Sequence, residues 1–288
     1  MIAPRIPLRL AAALALLAPS PGAARLAAQD AAAETPVAPR TPFITGTLGA
    51  MVLDIPRYAG SDQRWVIPVP VVDLRIAGRL LLGGSPSGLG GGAGVLLLDG
   101  RHVALSADFS LTEDRPADRT PALAGMGDRG FGAYAGATLR LRQGPFEAQA
   151  SVAQGLEEQM GLMGIFGLSA STTVGNRWFG TLGAQSVLGT CDNLQWDFGV
   201  TQAQAARRGV LLAAGEPGLR PGDDEAYTPD CGLRELRATL LVAYALTPRL
   251  SIFGLGSGLR YERGAAESPL TRDRHGWVAG LGMGWRFW

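Results

Sequence analysis

The chain has 288 residues, of which 47% are hydrophobic and only 18% are charged, which is below the roughly 25% of an average globular protein. The formal net charge is +1, so the charge of the whole protein excludes any argument for nucleic-acid binding or for the steering of acidic ligands. The low charge content also leaves little polar surface for a protein surrounded by water.

The first 28 residues have the pattern of a secretory signal peptide. Arg5 and Arg9 form a positive N-terminal region, Leu10–Ala18 is apolar, and small residues follow up to Ala28. The alternative for this segment is a short buried helix. Residues 29–42 are small, polar and rich in proline, which predicts a flexible periplasmic lead-in. No later apolar run approaches the roughly 18 residues of a transmembrane helix, so we expect an exported protein without a helical anchor.

From residue 43 onward, hydrophobicity alternates with a period of two, which predicts β-strands. The last segment has one strongly hydrophobic face and one face that consists mostly of glycine. The hydrophobic face contains Trp277, Ala279, Leu281, Met283, Trp285 and Phe287, and the opposite face contains Gly276, Val278, Gly280, Gly282, Gly284 and Arg286. The alternation is also clear in residues 101–111, 131–142, 146–152, 233–246 and 249–262. It is weaker in residues 43–54, 64–76, 90–98, 162–174, 176–188 and 194–201.

These segments predict roughly 12 strands, each close to the 9–11 residues that a tilted strand needs to cross a membrane. One face of each strand is apolar, and the other carries Gly, Ser, Thr and charged residues. An apolar outside and a polar inside are typical of a transmembrane β-barrel. We therefore predict an all-β fold, a closed antiparallel barrel of the outer-membrane type over residues 43–288. A secreted β-sandwich or lipocalin-like barrel is the alternative, which the near absence of charge on the apolar face disfavours.

The pattern leaves the number of strands open. If residues 79–98 form two strands, the total is about 13, whereas a barrel with both ends in the periplasm needs an even number. If they form one strand, the total is about 12, but the long segment 112–130 then falls on the periplasmic side, where short turns are expected. One of the strand predictions must therefore be wrong.

Three stretches of the chain together resemble the MipA/OmpV family of outer-membrane proteins. They are GTLGAMVLDIPRYAGSDQRWVIPVPVVDLR, then WDFGVTQAQAARRGV followed by AYTPDCGL, and finally GLRYERGAAESPLTRDR leading to GLGMGWRF. The resemblance extends over nearly all of the chain from about residue 43 to residue 287. It identifies six motif positions with a structural or contact role: Tyr58, Gly60, Ser61, Ser268, Pro269 and Leu270.

The C-terminal strand ends in aromatic residues, and this resembles the signal by which outer-membrane barrels are recognised for insertion. Trp285, Phe287 and Trp288 would form that signal. Most family members end on the phenylalanine that corresponds to Phe287. The additional Trp288 would therefore shift the register of the signal by one residue.

Eight charged residues are predicted to point into the barrel because they lie on the polar faces of their strands: Asp108, Arg140, Arg142, Glu147, Glu235, Arg237, Arg260 and Glu262. Both signs are present, and a barrel of about 12 strands is small. We therefore expect these residues to pair across strands and to fill the lumen. The alternative is that they line a narrow channel.

The two cysteines, Cys191 and Cys231, would by default form a disulfide in an oxidising compartment. The predicted strands argue against this pairing. Strands beginning at Leu194 and Leu233 would each follow a cysteine, and two adjacent antiparallel strands would place the thiols at opposite ends of the barrel. A disulfide needs Cα atoms within about 7 Å, so only a deep fold-back of the loop 202–230 would allow it.

The sequence contains no constellation of residues that would support catalysis. Its two histidines, His102 and His275, are far apart and lack metal-ligand spacing. The stretch GLSAS is not a G-x-S-x-G elbow, and GGSPSGLGGGAG lacks the Lys-Ser/Thr of a phosphate loop. The acidic run 223–225 is predicted to be a solvated cluster in a loop. We therefore predict a protein that is not an enzyme and that needs no metal ion or cofactor.

The family resemblance implies a scaffold in the cell envelope, which holds a murein-cleaving lytic transglycosylase near a murein synthase. The barrel would be anchored in the lipid of the outer membrane, and its periplasmic turns or the lead-in would contact the enzymes. No nucleic acid is expected among the partners. Two alternatives remain open: a narrow pore for small solutes, and a surface adhesin that acts through the loop 202–230.

Overall fold

The computed structural model describes residues 42–84 and 91–287, and β-strands dominate their fold. These residues contain twelve strands: β1 (Ile44–Pro56), β2 (Arg64–Ile76), β3 (Leu80–Gly84), β4 (Gly91–Asp99), β5 (Val103–Leu111), β6 (Ala133–Gln143), β7 (Phe146–Gly155), β8 (Leu162–Val174), β9 (Trp178–Gly189), β10 (Gly232–Ala245), β11 (Leu250–Tyr261) and β12 (His275–Phe287). Helices α1 (Cys191–Phe198), α2 (Gln202–Ala213) and α3 (Arg263–Ala266) and two 3₁₀ turns (Ala117–Arg119 and Pro121–Leu123) lie in the connections. The predicted signal peptide 1–28, the lead-in up to residue 41 and Trp288 lie outside the described residues.

The strands form one closed barrel in which each strand pairs antiparallel with its neighbours in the sequence. The first and last strands close it, in a register that runs from Gly46 opposite Phe287 to Asp54 opposite Ala279. Closure gives the backbone groups of the wall their partners and leaves no edge in lipid, which is the condition for β-structure in a bilayer. The predicted closed antiparallel barrel is confirmed.

The outer face of the barrel is apolar. Large hydrophobic side chains recur at every second position and stay exposed, as at Leu281 on β12, which is 74% exposed. Aromatic side chains lie on the same face close to the strand ends: Phe146, Trp178, Trp277 and Trp285. In an outer-membrane barrel, lipid covers this face, and the aromatic residues lie at the two membrane–water interfaces.

The inner face includes an apolar wall and a polar wall. The apolar wall is formed by buried residues of β1, β2, β11 and β12: Leu53, Ile55, Val69, Leu255 and Val278. The polar wall is formed by buried residues of β5, β6 and β7: Ser106, Asp108, Ser110, Thr138, Arg140 and Ser151. A residue that points into this barrel is therefore not always polar.

The glycines of β12 make room for the apolar wall. A Cβ atom at Gly282 would lie 2.6 Å from the Cβ atom of Met51 and 2.6 Å from the ring of Phe253. Side chains from β1 and β11 therefore lie directly over the inner face of β12. This contact explains why glycine alternates with large outward residues in the last segment of the chain.

Two predicted segments fold differently, and together they settle the strand count at twelve. Residues 79–98 contain two strands, β3 and β4, whereas the predicted strand at 194–201 is largely helix α1. Leu194 and Phe198 are four residues apart, so they share one face in a helix as well as in a strand, and a segment this short cannot distinguish the two by its pattern. The segment 112–130 then lies at the same end as the other long connections.

The two ends of the barrel differ in the length of their connections. Five turns of two to four residues lie at one end: 77–79, 100–102, 144–145, 175–177 and 246–249. The connections at the other end are longer, with six residues or more. Outer-membrane barrels have short periplasmic turns and longer extracellular loops, so the end with short turns faces the periplasm. None of the described helices is long and apolar enough to cross a membrane.

Candidate functional site

The long connections pack together at the extracellular end into a structure that we call the cap, which comprises residues 57–63, 112–132, 156–161, 190–231 and 262–274. Helix α1 lies across the mouth of the barrel. Near its start, the Asn193 amide donates to the hydroxyl of Tyr134 on β6 at 2.8 Å. At its end, the ring of Phe198 meets the ring of Tyr261 on β11 at a centroid distance of 5.5 Å. Because β6 and β11 are five strands apart in the barrel, α1 bridges nearly opposite walls.

An apolar cluster joins the connections of the cap to one another. Its buried members come from four segments: Tyr58, Ala122, Leu123, Met126, Val200, Ala205 and Leu270. Leu123 and Leu270 are completely buried. Because burial of apolar area is the main source of stability, the cap is a packed unit and not a set of independent loops.

The two groups of motif positions meet in the cap. The Tyr58 hydroxyl donates to the backbone carbonyl of Leu270 at 3.0 Å. The Gly60 carbonyl accepts from the backbone N–H groups of Arg272 and Asp273 at 2.7 and 3.1 Å. The β1–β2 connection is thereby joined to the β11–β12 connection, from the opposite end of the chain.

Gly60 and Ser61 form the turn that makes this contact. Gly60 has a φ of +90°, and a Cβ atom there would lie 2.9 Å from the Cα atom of Thr271. The backbone conformation and the close approach both require glycine. The Ser61 hydroxyl donates to the carbonyl of Gln63 at 3.0 Å and accepts from its N–H at 3.1 Å, which holds the turn closed.

Ser268 holds the other side of the contact. Its hydroxyl donates to the carbonyl of Phe198, the last residue of α1, at 2.6 Å. The same hydroxyl accepts from the N–H of Leu270 at 3.1 Å. Pro269 lies between these two residues and is partly buried. The segment 268–270 therefore ties the last connection to the helix that crosses the mouth.

Asp197 on α1 is a buried centre of charge in the cap. It forms ion pairs of 2.6 Å with both Arg129 and Arg234, and Arg115 donates to its backbone carbonyl at 3.0 Å. Burial by itself would raise the pKa of Asp197, but the guanidiniums of Arg234 and Arg129 outweigh burial and hold this pKa at about 2. The ionised carboxylate therefore ties α1 to the 112–132 connection and to the barrel wall.

Asp223 is a second buried carboxylate of the cap. It pairs with Arg272 and, at 3.3 Å, with Arg208, whose Nε also donates to the Asp223 carbonyl at 2.6 Å. Burial lowers the pKa of Arg208, and the charge of Asp223 opposes this effect. The interpretation of residues 223–225 as a solvated cluster is wrong for Asp223, which is 3% exposed.

Cys191 and Cys231 form a disulfide in which the Cα atoms are 4.4 Å apart. The two cysteines flank the connection between the adjacent strands β9 and β10, so they lie at the same end of the barrel. The expected separation of the thiols was wrong because it depended on a strand beginning at Leu194, where the chain is helical. The disulfide closes the base of the connection 190–231.

Six of the eight predicted lumen charges point inward: Asp108, Arg140, Arg142, Glu147, Glu235 and Arg237. Glu147 on β7 pairs with two arginines of β6, Arg142 at 2.9 Å and Arg140 at 3.8 Å. These pairs cross between neighbouring strands of the polar wall and neutralise part of its charge.

The other inward carboxylates have different surroundings. Glu235 pairs with Arg237, two residues further along β10. Asp108 accepts a hydrogen bond from the hydroxyl of Thr138, while its other carboxylate oxygen has no hydrogen-bond partner among the described residues. The inward carboxylates therefore differ in their partners from strand to strand.

Arg260 and Glu262 do not belong to the lumen. On β11, Leu255, Ser257 and Tyr261 are buried and point inward, so Arg260 lies on the outer face, where its side chain is 64% exposed. Glu262 lies just beyond the strand and pairs with Arg260 at 3.1 Å. The prediction was wrong because it placed the apolar face of β11 against lipid, whereas that face belongs to the apolar wall inside the barrel.

The remaining predicted positions form no reactive site. Trp285 and Phe287 lie on the outer face of β12, and their role in insertion stays a prediction. His102 lies in a periplasmic turn and His275 at the extracellular start of β12. Within residues 42–84 and 91–287, no group of three or more His, Cys, Asp and Glu side chains is placed to hold a metal ion.

The sequence interpretation missed the helices and the buried ion pairs of the cap. A signal for α2 is present, because Thr201 and Gln204 form a capping box. The Thr201 hydroxyl accepts from the N–H of Gln204 at 3.3 Å, and the Gln204 side chain accepts from the N–H of Thr201 at 2.8 Å. No comparable local signal marks the pairing of Asp197 with Arg129 and Arg234, because these residues are far apart in the chain.

Comparison with known proteins identifies one family. The model of the family described as MltA-interacting protein MipA matches residues 48–287, which include both groups of motif positions and the cap. No curated protein matches the chain significantly.

Several solved outer-membrane proteins are similar to most of this chain at low sequence identity. An outer-membrane channel from Pseudomonas putida F1 is 11% identical, with 86% of this chain and 97% of that chain covered and a TM-score of 0.42. The NanC porin is 7% identical, with 83% and 100% covered and a TM-score of 0.42. OmpT of Vibrio cholerae is 8% identical, with 86% and 99% covered and a TM-score of 0.35. These values carry no conclusion about activity.

Proposed function

Because this chain belongs to the MipA family of outer-membrane barrels, we propose that it is a non-enzymatic scaffold that anchors murein enzymes at the inner surface of the outer membrane. The family description, MltA-interacting protein, supports a murein enzyme as the partner. In this proposal, the partners are a lytic transglycosylase that cleaves murein and a synthase that extends it. The scaffold would keep the two activities close together.

The observation that carries the proposal is helix α1, which lies across the mouth of the barrel. Helix α1 bridges nearly opposite walls, and its ends are fixed by Asn193 and Phe198. Asp197 ties the same helix to the wall through Arg234 at 2.6 Å. A barrel with a packed cap and an apolar inner wall is better suited to being an anchor than to being an open conduit.

The proposal places the contact with the enzymes at the periplasmic end. Only five turns of two to four residues project there, so the contact surface on the barrel is a rim of turn residues. The predicted lead-in, residues 29–42, is the second contact segment in this proposal. Short turns present a fixed surface, because little chain is available to rearrange.

Site-specific photo-crosslinking in intact cells tests the proposal. A photoreactive residue is placed at Asn176 or Thr247 in the periplasmic turns and, as a matched control, at Gln159 or Ala226 in the extracellular connections. We expect crosslinks to a lytic transglycosylase or a murein synthase from the turn positions alone. If neither enzyme is crosslinked from either turn position while the barrel is folded, the scaffold proposal fails.

The polar wall favours a second candidate function, a narrow pore for small solutes. Buried hydroxyl, carboxylate and guanidinium groups of Ser106, Asp108 and Arg140 face the lumen, and such groups could replace part of the hydration of a polar solute. For this function the cap would have to open, or a path would have to lead past α1. The scaffold proposal requires neither event.

Single-channel recording in planar bilayers separates the two candidates. A pore through the polar wall predicts a conductance that changes in the R140Q variant. It should not change in R64Q, because Arg64 stacks on Trp277 on the outer face, with its guanidinium carbon 3.3 Å from the ring centroid. Absence of conductance above the lipid background in the wild-type protein would exclude the pore.

A further inference from the structure

The charges of the connections are distributed unequally between the two ends of the barrel. The extracellular connections carry seventeen Asp and Glu residues and ten Arg residues. The five periplasmic turns carry four Arg residues and no Asp or Glu: Arg79, Arg101, Arg177 and Arg249. We call these four residues the basic ring. The net charge of +1 for the whole chain conceals this polarity.

The basic ring is built from separate hairpins. Each of its four arginines is exposed, and each belongs to a different turn. Neighbouring turns at one end of a barrel are two strands apart, which is a spacing of about 10 Å. The arginines therefore form a rim of separated positive charges and not one compact pocket.

Two carboxylates near this end pair with arginines of the strands. Asp99 at the end of β4 pairs with Arg75 at 2.5 Å. Glu147 near the start of β7 pairs with Arg142 at 2.9 Å. Both carboxylates belong to strands, whereas the ring belongs to the turns that project beyond them.

We propose that the basic ring binds murein directly, through the carboxylates of its peptide stems. Arginine is suited to this contact because its guanidinium matches a carboxylate with two hydrogen bonds. One exposed ion pair is weak, but a polymer with many carboxylates can engage several arginines at once, and the later contacts are intramolecular. This proposal rests on the scaffold function in one respect: that function is the reason for choosing murein as the periplasmic polyanion.

Anionic lipid headgroups are the competing ligand for such a ring. Arg177 lies at the level of the outer aromatic residues, because it donates to the hydroxyl of Tyr244 at 3.2 Å. However, arginines separated by about 10 Å or more would each bind a different lipid, and the ring arrangement does not strengthen the binding of independent lipids. A connected polyanion does gain from it, so the ring favours the polymer.

Sedimentation of the purified, detergent-folded protein with purified murein sacculi tests this inference. The test variant is R79Q/R101Q/R177Q/R249Q. The control is R207Q/R220Q/R263Q/R274Q, which removes four exposed arginines from the extracellular connections and therefore makes the same change in net charge. The heat-dependent gel shift of a folded barrel verifies that both variants are folded. Vesicles of zwitterionic lipid, with and without phosphatidylglycerol, are tested in parallel.

We expect the ring variant to bind sacculi about tenfold or more weakly than the wild-type protein, because four ion pairs are lost, and the control variant to bind normally. Equal binding by the two variants would overturn the proposal. Binding of the wild-type protein to phosphatidylglycerol vesicles but not to sacculi would overturn it in favour of lipid. The purified system contains no murein enzyme, so failure here is distinguishable from failure of the scaffold proposal.

Discussion

The hydroxyl of Tyr58 donates a hydrogen bond of 3.0 Å to the backbone carbonyl of Leu270, although 212 residues separate the two positions. Tyr58 follows β1 and Leu270 precedes β12, and these are the strands that close the barrel. Burial raises the pKa of Tyr58 to about 12, so its hydroxyl remains a proton donor throughout the physiological pH range. The bond therefore fastens the cap across the closing strand pair.

Replacing Tyr58 with phenylalanine should loosen the cap without unfolding the barrel. The Leu270 carbonyl loses its side-chain donor in a buried site, which costs about 1–3 kcal/mol. We expect faster hydrogen–deuterium exchange in residues 57–63 and 262–274 and unchanged exchange in the strands. The Y244F variant is the matched control, because its hydroxyl accepts only an exposed bond from Arg177 at the periplasmic end. Unchanged exchange in Y58F would mean that the bond does not hold the cap.

Removing the disulfide should destabilise the protein but leave the barrel able to close. Cys191 and Cys231 are 40 residues apart in the chain, and losing such a crosslink costs about 2–4 kcal/mol. Strands β9 and β10 still pair from Gly189 opposite Gly232 onward, with one register shift between Leu233 and Glu235. Urea unfolding of C191S/C231S in lipid vesicles should give a lower midpoint than the wild-type protein. Reductant should lower the wild-type midpoint and leave the variant unaffected, whereas an unchanged wild-type midpoint would contradict the prediction.

The stability of the cap should fall in acid because of Asp197. Its pKa of about 2 in the folded protein is below the roughly 3.9 of an unfolded aspartate. A depressed carboxyl pKa contributes stability that is fully present above about pH 4 and is lost as the pH falls to about 2. The contribution is about 2–3 kcal/mol. Hydrogen exchange in α1, corrected for its intrinsic pH dependence, should accelerate across this window.

The D197N variant is the control for this pH dependence. Without the carboxylate, Arg129 and Arg234 lose their counter-charge, so exchange in α1 should already be fast at neutral pH. It should also show no step between about pH 4 and pH 2. A step that persists in D197N would assign the acid sensitivity to another group.

Alanine at Gly282 should destabilise the barrel. The added Cβ atom would lie 2.6 Å from the Cβ atom of Met51 and 2.6 Å from the ring of Phe253, and overpacking of this kind costs about 1–3 kcal/mol. The control is G256A on the outer face of β11, where nothing lies within 4 Å of the added atom. Urea unfolding should show a lower midpoint for G282A alone. Equal midpoints would mean that the apolar wall adjusts to the added methyl group.

The alternation of hydrophobic and polar residues along the strands was sufficient to predict the barrel, because the outer face of its wall contacts lipid and the inner face does not. Leu281 and its neighbours on β12 were correctly assigned to lipid. The same rule failed on β11, where Arg260 lies outside and Leu255 lies inside. Hydrophobicity identifies the two faces of a strand, but it identifies the outer face only if the interior is polar.

The motif positions of the family were found in the sequence, but their contact was not. Nothing in the local pattern around Tyr58 indicates that its partner is Leu270. Likewise, the cysteines were separated in the predicted arrangement because an eight-residue pattern beginning at Leu194 suits a strand and a helix equally well. The single wrong prediction of a strand at Leu194, where the chain is helical, was enough to place the two thiols at opposite ends of the barrel.

The sequence by itself determined the closed antiparallel barrel, its place in the outer membrane and its family, because these depend on period-two alternation and on ordered motifs that are local in the chain. Only the tertiary structure decided the cap, the disulfide, and the apolar inner wall. These features depend on which distant segments meet at one end of the barrel. Closure of β1 on β12 brings Tyr58 to Leu270, and the path of α1 across the mouth brings Asp197 to Arg129 and Arg234.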